Sequence, residues 1–130
     1  LIDFIRIHIS QIGGLTPARK TAALAEWFNV RTAWHGPGDV SPVGHCANIS
    51  LDVAAYNFGI QEQTVFGKET QEVFPGCPKI KDGYFWVNEA PGWGIDINEQ
   101  LAAKFPPTSP TPFDYSWGST RKRDGTIIRP

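Results

Sequence analysis

The chain has 130 residues, 41% of them hydrophobic, five Trp and a formal net charge of -1, a make-up globular in character rather than disordered. So small a charge gives no reason to expect a nucleic-acid partner. No apolar run approaches the ~20 residues that cross a bilayer, so no membrane partner is expected and a cytoplasmic location is. On size alone the chain can form one compact domain, yet it supplies only about half of the roughly 250 residues of a complete (β/α) barrel.

Asp3 to Ile9 alternates, with Ile5, Ile7 and Ile9 on one face and Phe4, Arg6 and His8 on the other, which is the period of a strand. The chain has no Met and opens on Leu1-Ile2-Asp3-Phe4-Ile5, so it is expected to begin in mid-domain. A removed signal peptide is the alternative, although a mature secreted protein seldom starts inside a core strand. Gly13-Gly14 makes the next loop, and Thr16-Pro17 predicts a helix start as N-cap and first helical residue. That helix runs to about Phe28 and is expected to bury Ala22, Ala25, Trp27 and Phe28. Val30 to Trp34 reads as the second strand and His35 to Asp39 as its loop, after which Ser41-Pro42 repeats the helix start. A helix from Val43 to about Ala55 and a strand from Asn57 to Gln61 follow. Strand, helix, strand, helix, strand at a spacing near 27 residues is the rhythm of a parallel sheet.

Beyond Glu62 the pattern changes. Lys68 to Phe74 predicts one short helix, and Asp82-Gly83 a hairpin turn between Lys79-Ile80 and Tyr84-Phe85-Trp86-Val87. Pro91 to Ile97 reads as a loop and a further strand, and Asn98 to Phe105 as a short helix with Leu101 and Phe105 on one side. From Pro106 onward Pro, Ser and Thr dominate, the composition of an extended tail, and Arg121-Lys122-Arg123 reads as a solvated turn before Asp124-Gly125. Cys46 and Cys77 have neither metal-knuckle nor disulfide-framework spacing and read as two free intracellular thiols.

If the three strands are neighbours in a parallel barrel, their carboxyl ends collect Arg6, His8, His35, Asp39 and Glu62 around one mouth, where barrel enzymes keep their chemistry. A guanidinium matches the two oxygens of a carboxylate. Histidine passes a proton near neutrality or donates to a hydroxyl. Asp39 lies four residues beyond His35, where a folded-back loop brings it to the same ligand, and Glu62 can accept from sugar-like hydroxyls or share a proton with His35. Together these residue types describe a pocket for a polyhydroxylated acid. Blander readings stand beside each. Arg6 can be an inward ion-pair partner within the barrel, His8 reads as a satisfied structural histidine, and His45, inside the helix after Pro42, is assigned no role. Tyr84, Phe85, Trp86 and Trp93 read as packing. His35 is favoured as functional because Gly36, Pro37 and Gly38 shape a tight loop around it.

The segments Phe4-Ile5-Arg6-Ile7-His8, Ile12-Gly13-Gly14-Leu15-Thr16-Pro17-Ala18-Arg19-Lys20, Thr32-Ala33-Trp34-His35-Gly36-Pro37-Gly38-Asp39-Val40-Ser41-Pro42-Val43-Gly44 and Pro91-Gly92-Trp93-Gly94-Ile95-Asp96-Ile97 closely resemble the enolase superfamily. Within it they are similar to the mannonate dehydratase branch, which includes D-gluconate dehydratases and members named starvation-sensing proteins. The resemblance covers nearly the whole chain and corresponds to the last third of that family. It implies an α/β fold: the last three βα units of an enolase-superfamily (β/α) barrel plus a C-terminal extension. It also implies a Mg2+ ion that stabilises the enediolate formed when a proton leaves the carbon next to a sugar-acid carboxylate. Loss of the β-hydroxyl as water then gives a 2-keto-3-deoxy acid. By the same resemblance Arg6, His35, Asp39 and Glu62 match substrate-contacting positions at the ends of the sixth, seventh and eighth strands, with His35 as acid/base or substrate contact. The family's metal-binding carboxylates and main acid/base residues come from earlier strands and an upstream loop, so the Mg2+ ligands are expected in an upstream part and none in this stretch.

The expected organisation is residues 1–78 as barrel units and residues 79–130 as hairpin, short helix and tail packing on a capping domain. Some family members end in an aromatic residue that reaches the site, whereas this chain ends Ile128-Arg129-Pro130. Three strands of eight leave two open sheet edges. Residues 1–130 alone are therefore expected to be inactive and to need the missing N-terminal part as partner, or another chain, to fold fully, with a homo-oligomer expected for the whole. Two alternatives remain: a non-catalytic relative that binds a small acid metabolite or regulates, of the starvation-sensing type, and a free-standing small α/β domain with no family chemistry.

Overall fold

The structure is a computed structural model and describes residues 2–106; the Pro/Ser/Thr-rich tail, the Arg121-Lys122-Arg123 run and the Ile128-Arg129-Pro130 terminus lie outside the described residues. Two strands pair in parallel, β1 (Phe4–Ile5) with β2 (Arg31–Thr32), in the register Phe4↔Arg31 and Ile5↔Thr32. A parallel bridge from Thr32 to Phe58 adds a third extended segment on the other side of β2. Backbone amides carry the pairing further: Arg31 donates to Asp3, Ala33 to Ile5, His35 to Ile7 and Thr32 to Asn57. The three predicted strands are therefore present and ordered as expected, with much shorter regular ladders. The outer two have a neighbour on one side only among the described residues, and a one-sided parallel strand makes half the bonds that define it.

Helix α1 (Leu15–Trp27) follows the Gly13-Gly14 turn, and here the expected Thr16 cap is corrected. Both glycines are left-handed, at φ 102° and 98°, and the Gly14 carbonyl accepts the first helical bond, from Ala18 at 3.3 Å. The helix thus starts one residue before Thr16, and no side chain caps it. The expected burial of Trp27 and Phe28 is also overturned, since they are 88% and 72% exposed. The buried face is Ala18, Ala22 and Ala25, at i, i+4 and i+7, and Trp27 stands two residues, some 200°, around from Ala25. Helix α2 (Pro42–Ala54) starts as predicted: the Ser41 hydroxyl accepts from the Gly44 amide at 3.4 Å, and Pro42 takes the first turn.

The core lies between the sheet and these two helices. Ile9, Ala18, Ala22, Trp34, Ala47 and Leu51 form it, with Ile7 and Ile12 against its edge. The small alanines let both helices approach Trp34, which is wholly buried. With Ile7, Ile9 and Trp34 committed to the helix side, the opposite face of the strands is left to Arg6, His8 and His35.

Past Glu62, α3 (Lys68–Val73) forms where expected, and β3 (Ile80–Lys81) pairs antiparallel with β4 (Tyr84–Phe85) around Asp82-Gly83, both at positive φ as a tight hairpin turn requires. The strand predicted near Ile97 does not form. Its amides go instead to the end of α3, Asp96 to the Pro75 carbonyl at 2.9 Å and Asn98 to that of Val73 at 2.8 Å, so no strand ladder is made. Helix α4 (Glu99–Ala102) is shorter than predicted, capped by the Asn98 side chain and ended by turn bonds at Lys104 and Phe105, which is 55% exposed. Cys46 and Cys77 are free and buried. Burial, helped by Cys77, pushes the Cys46 thiol up to about 11, and burial, opposed by Lys79, raises that of Cys77, so neither is a ready nucleophile. No helix among the described residues is long and apolar enough to cross a membrane.

Candidate active site

The parallel register sets His8 beside His35, and the rings meet edge to face with centroids 5.5 Å apart. Arg6 leaves β1 on the same face and reaches across to Glu62, just past the third extended segment. Its Nη2 donates to Glu62 Oε1 at 2.8 Å and Oε2 at 2.7 Å. The Gly36 amide donates to Oε2 at 3.1 Å, and His35 Nε2 stands 3.6 Å from the same oxygen. Arg6, His35 and the Gly36 amide thus converge on the Glu62 carboxylate, while Asp39 makes no bond to it.

Burial raises the Glu62 carboxyl, but the Arg6 bond, the Gly36 amide and the charges of Arg6 and His35 together outweigh it and hold the group below its ordinary value. Glu62 is therefore a fixed anion and an acceptor near neutrality. Burial, then the neighbouring His35, pushes the His8 ring below its usual value, with Asp39 opposing and His45 adding to the fall. His8 Nδ1 is bonded to the Ser10 hydroxyl at 2.8 Å, in keeping with its structural reading. Asp39 stands exposed at the end of the loop, close enough to His8 for its charge to be felt. The Arg6 side chain is 56% exposed, and its pairing with Glu62 uses one guanidinium nitrogen; the other two carry three N–H donors suited to a carboxylate.

Several groups that hold this arrangement were missed in the sequence. Gly36 is buried where a Cβ would collide with the Glu62 carbonyl. The Gln61 amide donates to the carbonyls of Trp34 at 3.2 Å and Glu62 at 2.6 Å. His45 and Asn48, both wholly buried, hold carbonyls of the His35–Asp39 loop. Their signal was available: two polar residues three apart on the apolar face of a helix must find partners.

Among the described residues no three His, Cys, Asp or Glu side chains gather to hold a metal ion. Both oxygens of Glu62 are on Arg6, whereas Mg2+ demands near-octahedral oxygen ligands. Arg6, His35, Asp39 and Glu62 do not make a Mg2+ site by themselves.

A parallel βα sheet that gathers an arginine, histidines and acids at the carboxyl ends of its strands has the arrangement that (β/α) barrels keep at one face. The chain matches the Enolase C-terminal domain-like family over residues 1–101, and it belongs to that family. It is 57% identical over 130 residues to the D-galactonate dehydratase family member RspA of Pantoea ananatis (strain LMG 20103), covering 100% of this chain and 30% of that protein. It is 58% identical, with the same coverage, to a D-galactonate dehydratase family member of Musicola paradisiaca (strain Ech703). Among solved structures, an enolase from Pantoea ananatis with bound D-gluconate and Mg matches at a TM-score of 0.82 and 56% identity, over 99% of this chain and 30% of that one. A mandelate racemase/muconate lactonizing enzyme from Jannaschia sp. CCS1 matches at 0.65 and 28%, over 75% and 24%. The enolase-superfamily reading and the C-terminal barrel fold are thereby borne out, and the chain spans about 30% of the length of the curated relatives it matches.

Proposed function

We propose that this chain supplies one wall of a sugar-acid dehydratase site, and that the whole protein converts D-gluconate or D-mannonate to a 2-keto-3-deoxy acid. The proton next to the carboxylate is removed and the β-hydroxyl leaves as water. The observation that carries this reading is the convergence of Arg6, His35 and the Gly36 amide on Glu62. The remaining Arg6 nitrogens bind the substrate carboxylate, Asp39 and Glu62 accept from hydroxyls, and His35 delivers a proton or a hydrogen bond to the departing oxygen. Support for the ligand class comes from the Pantoea ananatis enolase, which holds D-gluconate and Mg. Mg2+ is assigned to residues outside this set. In this reading residues 1–78 are barrel units, residues 79–130 pack on a capping domain, and the whole is a homo-oligomer.

The test is a panel of aldonic acids with Mg2+ and the full natural polypeptide, scored for 2-keto-3-deoxy product. Turnover of gluconate or mannonate is expected. Replacing His35 by Asn should lower kcat by about 10²–10⁴-fold, the usual worth of a positioned acid or base. Neither binding nor product with any acid overturns the proposal, and binding without product moves the protein to the regulatory, starvation-sensing type. Residues 1–130 alone should show no turnover.

A further inference from the structure

His45 is given no part in substrate binding or proton transfer above, yet it is wholly buried and its ring joins two segments of the site. Nε2 lies 3.1 Å from the Pro37 carbonyl, within the loop between His35 and Asp39. Nδ1 lies 2.6 Å from the side-chain amide of Gln63, the residue next to Glu62. Phe66 stands edge-on to the ring at 4.9 Å, and Gly36 packs so closely that a Cβ there would come within 3.1 Å of His45 Cε1. Three residues further along α2, Asn48 donates to the His35 carbonyl at 3.3 Å. One turn of helix therefore grips two carbonyls of the same loop.

The ring can satisfy both neighbours in one neutral form. The Pro37 carbonyl can only accept, so the ring N–H belongs on Nε2, and Nδ1 must accept. The side-chain amide of Gln63 then donates through its nitrogen, which a half-turn about its terminal bond brings to the place where Oε1 faces the ring.

We infer that His45 is a positioning residue: by tying Pro37 to Gln63 it sets the His35 ring against Glu62. It touches no substrate. The effect on turnover rests on the sugar-acid reading above, whereas the effect on loop geometry does not.

The test uses the full natural polypeptide with three variants. His45→Leu keeps volume and loses both bonds; His45→Gln keeps an amide donor near the Nε2 position; Gln63→Leu cuts the other tie. Two quantities are read: kcat and KM for gluconate with Mg2+, and hydrogen exchange of the Gly36 amide relative to amides of α1. His45→Leu should speed Gly36 exchange at least tenfold while α1 is unchanged. It should also lower kcat by up to about 10²-fold, the scale of an ångström's misplacement. His45→Gln should recover most of both. If the wild type has no activity, the sugar-acid reading falls and the exchange measurement alone decides the positioning role. Gly36 exchange within twofold of wild type in His45→Leu overturns it, and so does a loss shared equally by α1. Should His45→Leu fail to fold, Gly36 exchange in His45→Gln and Gln63→Leu decides: protection kept in the first and lost in the second supports the tie, and no difference between them refutes it.

Discussion

The two βα loops of this chain follow equivalent strands and are built on different plans. The first, from Ser10 to Gly14, is held by its own backbone: the amides of Gln11 and Ile12 donate to His8, and that of Gly14 to Ile9, and the helix that follows has no side-chain cap. The second, from His35 to Asp39, is held by the helix that follows it, through the Ser41 cap and the buried His45 and Asn48. A self-contained turn shapes itself but transmits nothing, whereas a loop tied to a packed helix inherits the rigidity of the core. The histidine favoured for chemistry sits on the second plan, as a site that depends on fixed distances requires.

Replacing Trp34 by Ala strikes both loops at once, since its ring packs with α1 and α2 residues in the core. A loss of about 3–5 kcal/mol in denaturant unfolding is expected. Gly36→Ala separates the loops: its Cβ would meet the Glu62 carbonyl, so the second loop must shift, at about 1–3 kcal/mol and, under the proposed sugar-acid function, with weaker gluconate binding by calorimetry. Equal stability and affinity would show that loop to be as pliant as the first. Next comes a pair of cap substitutions. Ser41→Ala should cost about 1 kcal/mol, and Thr16→Ala, whose hydroxyl caps nothing, less than about 0.5 kcal/mol. Matching thermal shifts for the two would erase the contrast.

The last pair of tests turns on pH. The Glu62 carboxyl is lowered on folding, so below about pH 4.5 the unfolded chain takes up a proton that the folded one refuses, and stability falls with pH there. Glu62→Gln should flatten that limb of a pH–stability curve. Asp52, on α2, has the opposite sign. Burial pushes its carboxyl up to about 8 from 3.8, so between those values the unfolded chain has lost a proton that the folded one keeps, and stability declines as pH rises. Asp52→Asn should stabilise progressively across that window; a constant offset from pH 4 to 8 would argue against the shift.

Period and capping residues made most of the framework legible. The strand alternation around Ile5, Ile7 and Ile9, the Ser41-Pro42 start and the Asp82-Gly83 hairpin are local signals, and the structure follows them. The Thr16 cap failed because two left-handed glycines start the helix earlier, and Trp27 because aromatic character was read as burial while the alanine stripe set the face. The strand near Ile97 failed because its bonding partner is the end of a helix, which no pattern within the segment reveals.

The gathering of Arg6, His35 and Glu62 followed from the βα repeat, because parallel strands a unit apart must bring equivalent positions to one edge. That repeat is a short-range property, written in alternation, turns and caps, and it was legible in the linear order of residues. How Glu62 is held was not: the Gly36 amide, the Arg6 pairing and the His45 tie each join residues at least eight apart in the chain through directional bonds, as in His45 to Pro37. Such bonds have no period and no composition, and they exist only once the helices have packed onto Trp34 and brought their donors and acceptors within reach.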